Sequence, residues 1–233
     1  MKTIGITGGI GSGKSYVSNL LRQKFGIPVY DCDKEAKRLT AEDKEIRQQL
    51  IALVGPEVFE GGILNKRLLA DYLFADVENA SAVNAIIHPA VLKDFAEWSR
   101  AEGRGSFRDY NRPSVQEHPR RVNGPSATTI APWCKSIQEC SMVALESAIL
   151  FESGFNAEVD YVLLVDAPED VRLQRAMLRD NASEAQIRAR MKMQHPELHR
   201  LQADYIIDNS MADDTRLLEQ LTAALRRIVK SEG

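Results

Sequence analysis

The sequence predicts an α/β fold, a parallel sheet sandwiched between helices, and three observations carry that prediction. Short strand-like apolar runs alternate with longer stretches whose apolar residues recur at helical spacing. The first strand-like run ends in a cluster of glycines and passes directly into an amphipathic stretch. With 233 residues, 44% of them hydrophobic, the chain has apolar side chains enough for a full core, which excludes collagen-like, low-complexity and wholly disordered readings. Strands separated by helices in this order pair in parallel, because each crossover returns the chain to the same end of the sheet.

Thr3-Ile4-Gly5-Ile6-Thr7 reads as a short buried strand ending in glycines. Val17, Leu20, Leu21 and Phe25 then recur at helical spacing, and Gly26 marks the stop. Ile27-Pro28-Val29-Tyr30 is the second strand candidate, with Pro28 near its start. Helical patterns follow near 34–53, 65–75 and 80–100. Met142–Leu145 and Tyr161–Val165 are further strands, and Tyr205-Ile206-Ile207 is the last. Helical stretches near 169–180, 183–195 and 213–230 complete the alternation. From Glu102 to about Ser136 no periodicity survives among many Gly, Pro, Arg, Ser and Asn residues, which predicts an inserted surface loop or a disordered segment.

Thirty Lys and Arg against 33 Asp and Glu leave a net charge of −3, so no global field draws the protein onto nucleic acid or an acidic membrane. An anion must therefore be held by a local site. Cys32, Cys134 and Cys140 follow no metal-ligand spacing and read as thiols in a reducing compartment. No run approaches the length of a membrane span, and nothing near Met1 has the pattern of a signal peptide. The expectation is a cytoplasmic globular protein.

Gly8-Gly9-Ile10-Gly11-Ser12-Gly13-Lys14-Ser15 fits the phosphate-binding loop pattern G-x-x-x-x-G-K-[ST] without a gap. Glycines such as Gly8, Gly11 and Gly13 let successive backbone N–H groups curl around a polyphosphate, and the helix that follows aims its N-terminal amides at the same anion. Lys14 supplies charge for the outer phosphates, Ser12 a place in the cradle, and the Ser15 hydroxyl a ligand for Mg²⁺. A strand before and an amphipathic helix after are the context the motif requires.

Directly after the second strand comes Asp31-Cys32-Asp33. In an extended segment residues two apart face the same way, so both carboxylates can point into one site at the carboxyl end of the sheet. Asp33 can accept a proton from an attacking hydroxyl or N-cap a helix beginning near Lys34, and spacing alone leaves both open. Arg172, Arg175 and Arg179 share one helix face at i, i+3 and i+7, either as a phosphate clamp or as a solvated row paired with Glu169 and Asp180. The guanine signature of GTPases and the signature of transporter ATPases are both missing.

These motifs, together with Asn65-Lys66-Arg67-Leu68-Leu69, Phe74-Ala75-Asp76, Ile87-His88-Pro89-Ala90-Val91, Ile149-Leu150-Phe151-Glu152, Gln174-Arg175, Arg179-Asp180 and Ala203–Asn209, resemble the dephospho-coenzyme A kinase family. The resemblance covers nearly everything except 102–137. It implies a P-loop kinase fold with a helical substrate-binding region near 57–100 and a helical lid near 168–198, all in one domain over 1–233. It implies transfer of the γ-phosphoryl group of ATP to the 3′-hydroxyl of dephospho-coenzyme A with Mg²⁺. By the same resemblance Asp33 is the base, Lys14 and Arg175 are catalytic, and Arg179 closes over ATP. Asp31, Arg67 and His88 become substrate contacts, while Tyr16 and Asn209 approach the adenosine; a turn or cap is the other reading of Asn209.

The chain departs from the family pattern at Tyr16, at Ala148 and in the insertion. Tyr16 stands where the family has a small hydroxyl residue, and Ala148 where it commonly shows Pro. Glu146 closes the third strand candidate, either as a magnesium-side carboxylate or as a strand-end residue in a charged turn, and the turn is slightly favoured. His195 and His199 read as surface or lid-edge residues. Between Arg104 and Lys135 the insertion carries five Arg and one Lys against Asp109 and Glu117, with Phe107, Tyr110 and Trp133, and reads as a solvated loop before it reads as a protein-binding one. The competing classes are a kinase of another acceptor and a nucleotide-dependent binding protein that uses this loop.

Overall fold

Lys2–Thr7 forms β1, the middle strand of the sheet, and its Ile4 and Ile6 are sealed from solvent. The computed structural model describes residues 1–104, 141–192, 194, 196–211 and 213–231. Gly8 to Gly13 turn the chain into α1 (Lys14–Phe25), which buries Val17, Leu20, Leu21 and Phe25, the stripe that periodicity singles out. Gly26 ends that helix in the left-handed region at φ 67°, where its N–H closes onto the Leu21 carbonyl.

Strand β2 runs Val29–Asp31 rather than 27–30. Pro28 has no N–H to give the ladder, although its carbonyl still accepts from Ala144 N–H at 2.8 Å. The helical run expected over 34–53 is two helices, α2 (Cys32–Glu42) and α3 (Lys44–Val54). Asp43 separates them: its backbone is extended and its carboxylate accepts from Glu45 and Ile46 N–H, so it caps α3 instead of continuing α2. A small hairpin not anticipated from the sequence, β3 (Phe59–Glu60) with β4 (Ile63–Leu64), precedes α4 (Lys66–Ala75). Helix α5 (Val77–Arg104) is longer than expected at both ends and runs through Pro89. Residues 102–104 are therefore helical, whereas the remainder of the expected insertion to 137, with Cys134, lies outside the described residues, as does Cys140.

Strands β5 (Met142–Glu146), β6 (Tyr161–Asp166) and β7 (Tyr205–Asp208) complete the sheet, with η-turn residues Phe155–Glu158 before β6. Among the described residues the strand order is β2-β5-β1-β6-β7, all parallel. Helix α6 (Glu169–Asp180) and α7 (Glu184–Met191) follow β6, α8 (Pro196–Gln202) precedes β7, and α9 (Asp214–Lys230) ends the chain. The stretch 183–195 is thus not one helix, since α7 stops at Met191.

The alternation of strand side chains sorts the core onto the two faces. Met142 and Ala144 of β5 pack with Leu163, Val165, α1 and α9, whereas Val143 and Leu145 face α2, α3, α4 and α5. A third cluster of Leu173, Ala176, Ile187 and Met191 joins α6 to α7 and reaches Ile10 of the glycine-rich loop. On the second face Tyr30 donates to Asp94 Oδ2 at 2.7 Å and sits in an aromatic group with Phe95 and Trp98, fastening α5 to β2. The order of strands reverses at β1, whose neighbours β5 and β6 come from later in the chain. The crevice at its carboxyl end is where a ligand site is expected in an open α/β sheet.

Candidate active site

Three buried polar atoms without a partner among the described residues gather around the loop after β1: Thr7 Oγ1, Ser12 Oγ and Arg172 Nε. Buried polar groups are nearly always paired, so their concentration here marks a place for a ligand. The N-terminus of α1 has no side-chain cap and no acidic residue in its first turn. Its free amides and dipole therefore favour an anion. Gly13 caps it at φ 96°, and a Cβ there would stand 2.2 Å from Asn209 Nδ2. Gly11 has φ 76°, and its missing Cβ would stand 2.0 Å from the Arg172 carbonyl oxygen. Lys14 Nζ spans the loop, donating to the Gly8 carbonyl at 2.6 Å and the Gly9 carbonyl at 3.3 Å. Burial lowers its pKa, although Glu146 and Asp33 pull it the other way.

The Ser15 hydroxyl donates to Glu146 Oε1 at 2.9 Å. Glu146 is only 7% exposed, so the charged-turn reading is wrong: it closes β5 inside the sheet, in register with Ile6 of β1 and Asp31 of β2. The sequence signal was a single charge ending an apolar strand; its meaning depends on which strands lie beside it. Among the described residues no three His, Cys, Asp or Glu side chains form a metal cluster. A hydroxyl and one carboxylate nevertheless suit a magnesium ion that draws its other ligands from phosphate and water.

Asp31 and Asp33 do not lie in one extended segment. Helix α2 begins at Cys32, and Asp31 is its cap, accepting from Lys34 N–H at 3.0 Å. Asp33 is therefore not the capping residue and lies in the first helical turn. It is open to solvent, with protein atoms crowded about its carboxyl group. That crowding and the Asp31 charge raise its pKa, against the opposing pull of Lys14 and Lys37. Cys32 is buried, and burial with the Asp33 and Asp31 charges pushes its thiol far up, which leaves it unreactive.

Helix α6 lays its arginines along the loop. Arg172 is buried with Nη1 over Gly9, which contradicts a fully solvated row. Arg175 Nη1 donates to the Asn209 carbonyl at 2.8 Å, and Asn209 Nδ2 donates to the Ser12 carbonyl at 2.7 Å. Asn209 therefore binds the phosphate loop and caps nothing, since Asp213 caps α9. Arg179 is exposed and pairs with Asp180 at 2.7 Å, as the solvated reading has it, yet its charge reaches Lys14. Ile10 N–H donates to Gln194 Oε1 at 2.8 Å, a loop contact that no periodicity announced. Tyr16 is exposed and donates to Asp214 at 2.5 Å, tying α1 to α9; burial and that carboxylate push its phenol up to about 12.

The remaining expected residues are not drawn into this cluster. The Arg67 side chain is 93% exposed and faces Asp71 at 3.8 Å. His88 is half-buried with its ring edge-on to Phe155 at 5.2 Å, and burial lowers its pKa. His199 is not a surface residue: it is 3% exposed, lies against Phe151 and donates from Nε2 to Glu152 at 2.9 Å. Arg200 beside it pairs with Asp166 at the end of β6. This pair of contacts fastens α8 to the carboxyl end of the sheet. His195 lies outside the described residues.

The comparisons agree with this geometry. A sequence model described as dephospho-CoA kinase matches residues 2–102 and 127–214. The dephospho-CoA kinase of Bacteroides fragilis strain YCH46 is 44% identical over 208 residues, covering 88% of this chain and 83% of that protein. That of Porphyromonas gingivalis is 41% identical over 212 residues, covering 90% and 87%. A crystal structure of TT1252 from Thermus thermophilus superposes with a TM-score of 0.71 at 30% identity, over 100% of this chain and 98% of the other. Dephospho-CoA kinase from Campylobacter jejuni shares the fold, with a TM-score of 0.60 at 18% identity over the whole of both chains. The loop, the carboxylate beside it and the matches over most of the length lead to one conclusion: this chain belongs to the dephospho-CoA kinase family.

Proposed function

We propose that the protein transfers the γ-phosphoryl group of ATP to the 3′-hydroxyl of dephospho-coenzyme A, giving coenzyme A and ADP, at the crevice above β1. The observation that carries this reading is the Asp33 carboxylate held within electrostatic reach of the phosphate-loop lysine, Lys14. A binding switch has no use for an acceptor-side carboxylate there, whereas a kinase needs one to orient and deprotonate the hydroxyl.

In this reading the loop from Gly8 to Ser15 and the half-buried Lys14 ammonium hold the phosphates, with Arg172, Arg175 and Arg179 arriving from α6. Asp33 receives the proton of the acceptor hydroxyl as its oxygen bonds to the γ-phosphorus and ADP departs. Its raised pKa makes it a better proton acceptor than an ordinary carboxylate. Ser15 and Glu146 would hold Mg²⁺, which when bound with ATP screens the phosphate charge. Catalysis rests on positioning and electrostatics, because the protein contributes little covalent chemistry to phosphoryl transfer.

The helices and hairpin over 57–100 receive the coenzyme A moiety, with Asp31, Arg67 and His88 as contacts. Residues 168–198 serve as the lid, and Tyr16 and Asn209 border the adenosine. The chain works as one domain in the cytoplasm, and no described helix is long and apolar enough to cross a membrane. The deciding assay is ADP release with ATP and Mg²⁺ in the presence of dephospho-coenzyme A, AMP or adenosine. Turnover with dephospho-coenzyme A alone is expected; none with it, or equal turnover with AMP, refutes the acceptor.

A further inference from the structure

Three side chains meet at Gly9, two of them from distant parts of the chain. Lys14 Nζ bonds to its carbonyl, and a Cβ on it would stand 2.2 Å from Arg172 Nη1 and 3.4 Å from Gln194 Oε1. Lys14 and Arg172 bring positive charge to this point. Gln194 brings a neutral carboxamide, whose orientation follows from its one partner. An N–H can be accepted only by the carboxamide oxygen, so the bond from Ile10 N–H fixes Oε1 on the loop. The Nε2 group, with its two donor hydrogens, has no hydrogen-bond partner among the described residues.

We propose that Gln194 is a phosphate-contacting residue of the kinase site, with Oε1 pinned by Ile10 and Nε2–H donating to the terminal phosphoryl group of ATP. Its role differs from that of the arginines. A neutral donor follows the phosphoryl oxygens without adding a further cation that would hold back the anionic product. Pinning of the oxygen also pre-pays the orientation of the nitrogen, so little side-chain freedom is lost on binding. The alternative is that Gln194 merely braces the tip of the loop. The two roles are separable because glutamate keeps the acceptor and the length but replaces the donor with a negative charge, whereas methionine removes both functions at similar size.

The inference rests on the phosphate-loop reading of the preceding section, and the experiment tells the two apart. Affinities for ADP and for the β,γ-imido analogue of ATP are measured by calorimetry on the full chain, for wild type, Gln194→Glu, Gln194→Met and Lys14→Ala. Gln194→Glu is expected to weaken the analogue by about tenfold or more, the range for a hydrogen bond to a charged group, and more than Gln194→Met does. ADP, lacking the terminal phosphate, should change by less than about twofold in both, which also reports that the loop is folded. Glutamate binding the analogue as well as wild type, methionine weaker than glutamate, or equal losses for both nucleotides overturns the proposal in favour of a brace. If Lys14→Ala leaves both affinities intact, the loop reading itself falls. If Lys14→Ala weakens both while the Gln194 variants bind normally, only the present inference fails.

Discussion

A methyl group added at Gly11 meets backbone, whereas one added at Gly9 meets the end of a flexible side chain, and the two should fail in different ways. At Gly11 the new Cβ would lie 2.0 Å from the Arg172 carbonyl oxygen and 2.7 Å from its carbon, against an ordinary contact of 3.4–4 Å. Helix α6 must then retreat by more than about 1 Å, an overpacking cost of about 1–3 kcal/mol. The left-handed φ of 76° adds about 1–2 kcal/mol for a residue with a side chain. A total of about 2–5 kcal/mol corresponds to a fall in Tm of roughly 4–20 °C for a chain of this size. At Gly9 the obstruction is Arg172 Nη1 at 2.2 Å, which can swing aside for an off-rotamer cost of about 0.5–1.5 kcal/mol. Gly9→Ala should therefore melt near wild type yet lose turnover, because the Arg172 guanidinium no longer rests over the loop. Calorimetric melting together with ATP kinetics on both variants checks the contrast. A Gly11→Ala protein that melts within about 1 °C of wild type with an unchanged KM for ATP would refute the packing of α6 on the loop.

Asp33→Asn should abolish turnover while nucleotide binding persists, and its thermal stability should rise slightly at neutral pH. The sign follows from the raised pKa: the folded protein disfavours the ionised carboxyl, so the stability associated with the neutral form is present at low pH and lost as pH rises through the folded pKa. Turnover in the wild-type protein should conversely fall as pH drops through that raised value, and Asp31→Asn should move this acid limb downward by removing the neighbouring charge. An acid limb that stays in place in Asp31→Asn would contradict the coupling. Glu146→Gln should raise the Mg²⁺ concentration needed for half-maximal activity while leaving ADP binding in chelator unchanged. An unaltered magnesium dependence would remove Glu146 from the metal side.

Much of the fold was legible because its signals are local. A helix stripe such as Val17, Leu20, Leu21 and Phe25, or a phosphate loop of consecutive residues, carries its meaning within a few turns of chain. The breaks in helices were less legible. Asp43 ends one helix and starts another through its own side chain, and an acidic residue in a polar stretch gives no advance sign of that choice.

The site divides along the same line. Sequence by itself determined that a phosphate-loop motif follows β1, which lysine and hydroxyl that motif carries, and that a carboxylate pair follows β2. Only the tertiary structure decided that Asp31 is the cap and Asp33 is left in the first turn of α2, that Glu146 reaches Ser15 across 131 residues, and that Asn209 reaches Ser12 across 197. It also buried His199 against Glu152 and left Arg67 in solvent. The reason is physical: a backbone turn or helix is specified by neighbours in sequence, whereas a side chain's partner is specified by strand order. The order β2-β5-β1-β6-β7 brings the ends of distant segments to one edge that no single stretch of sequence contains.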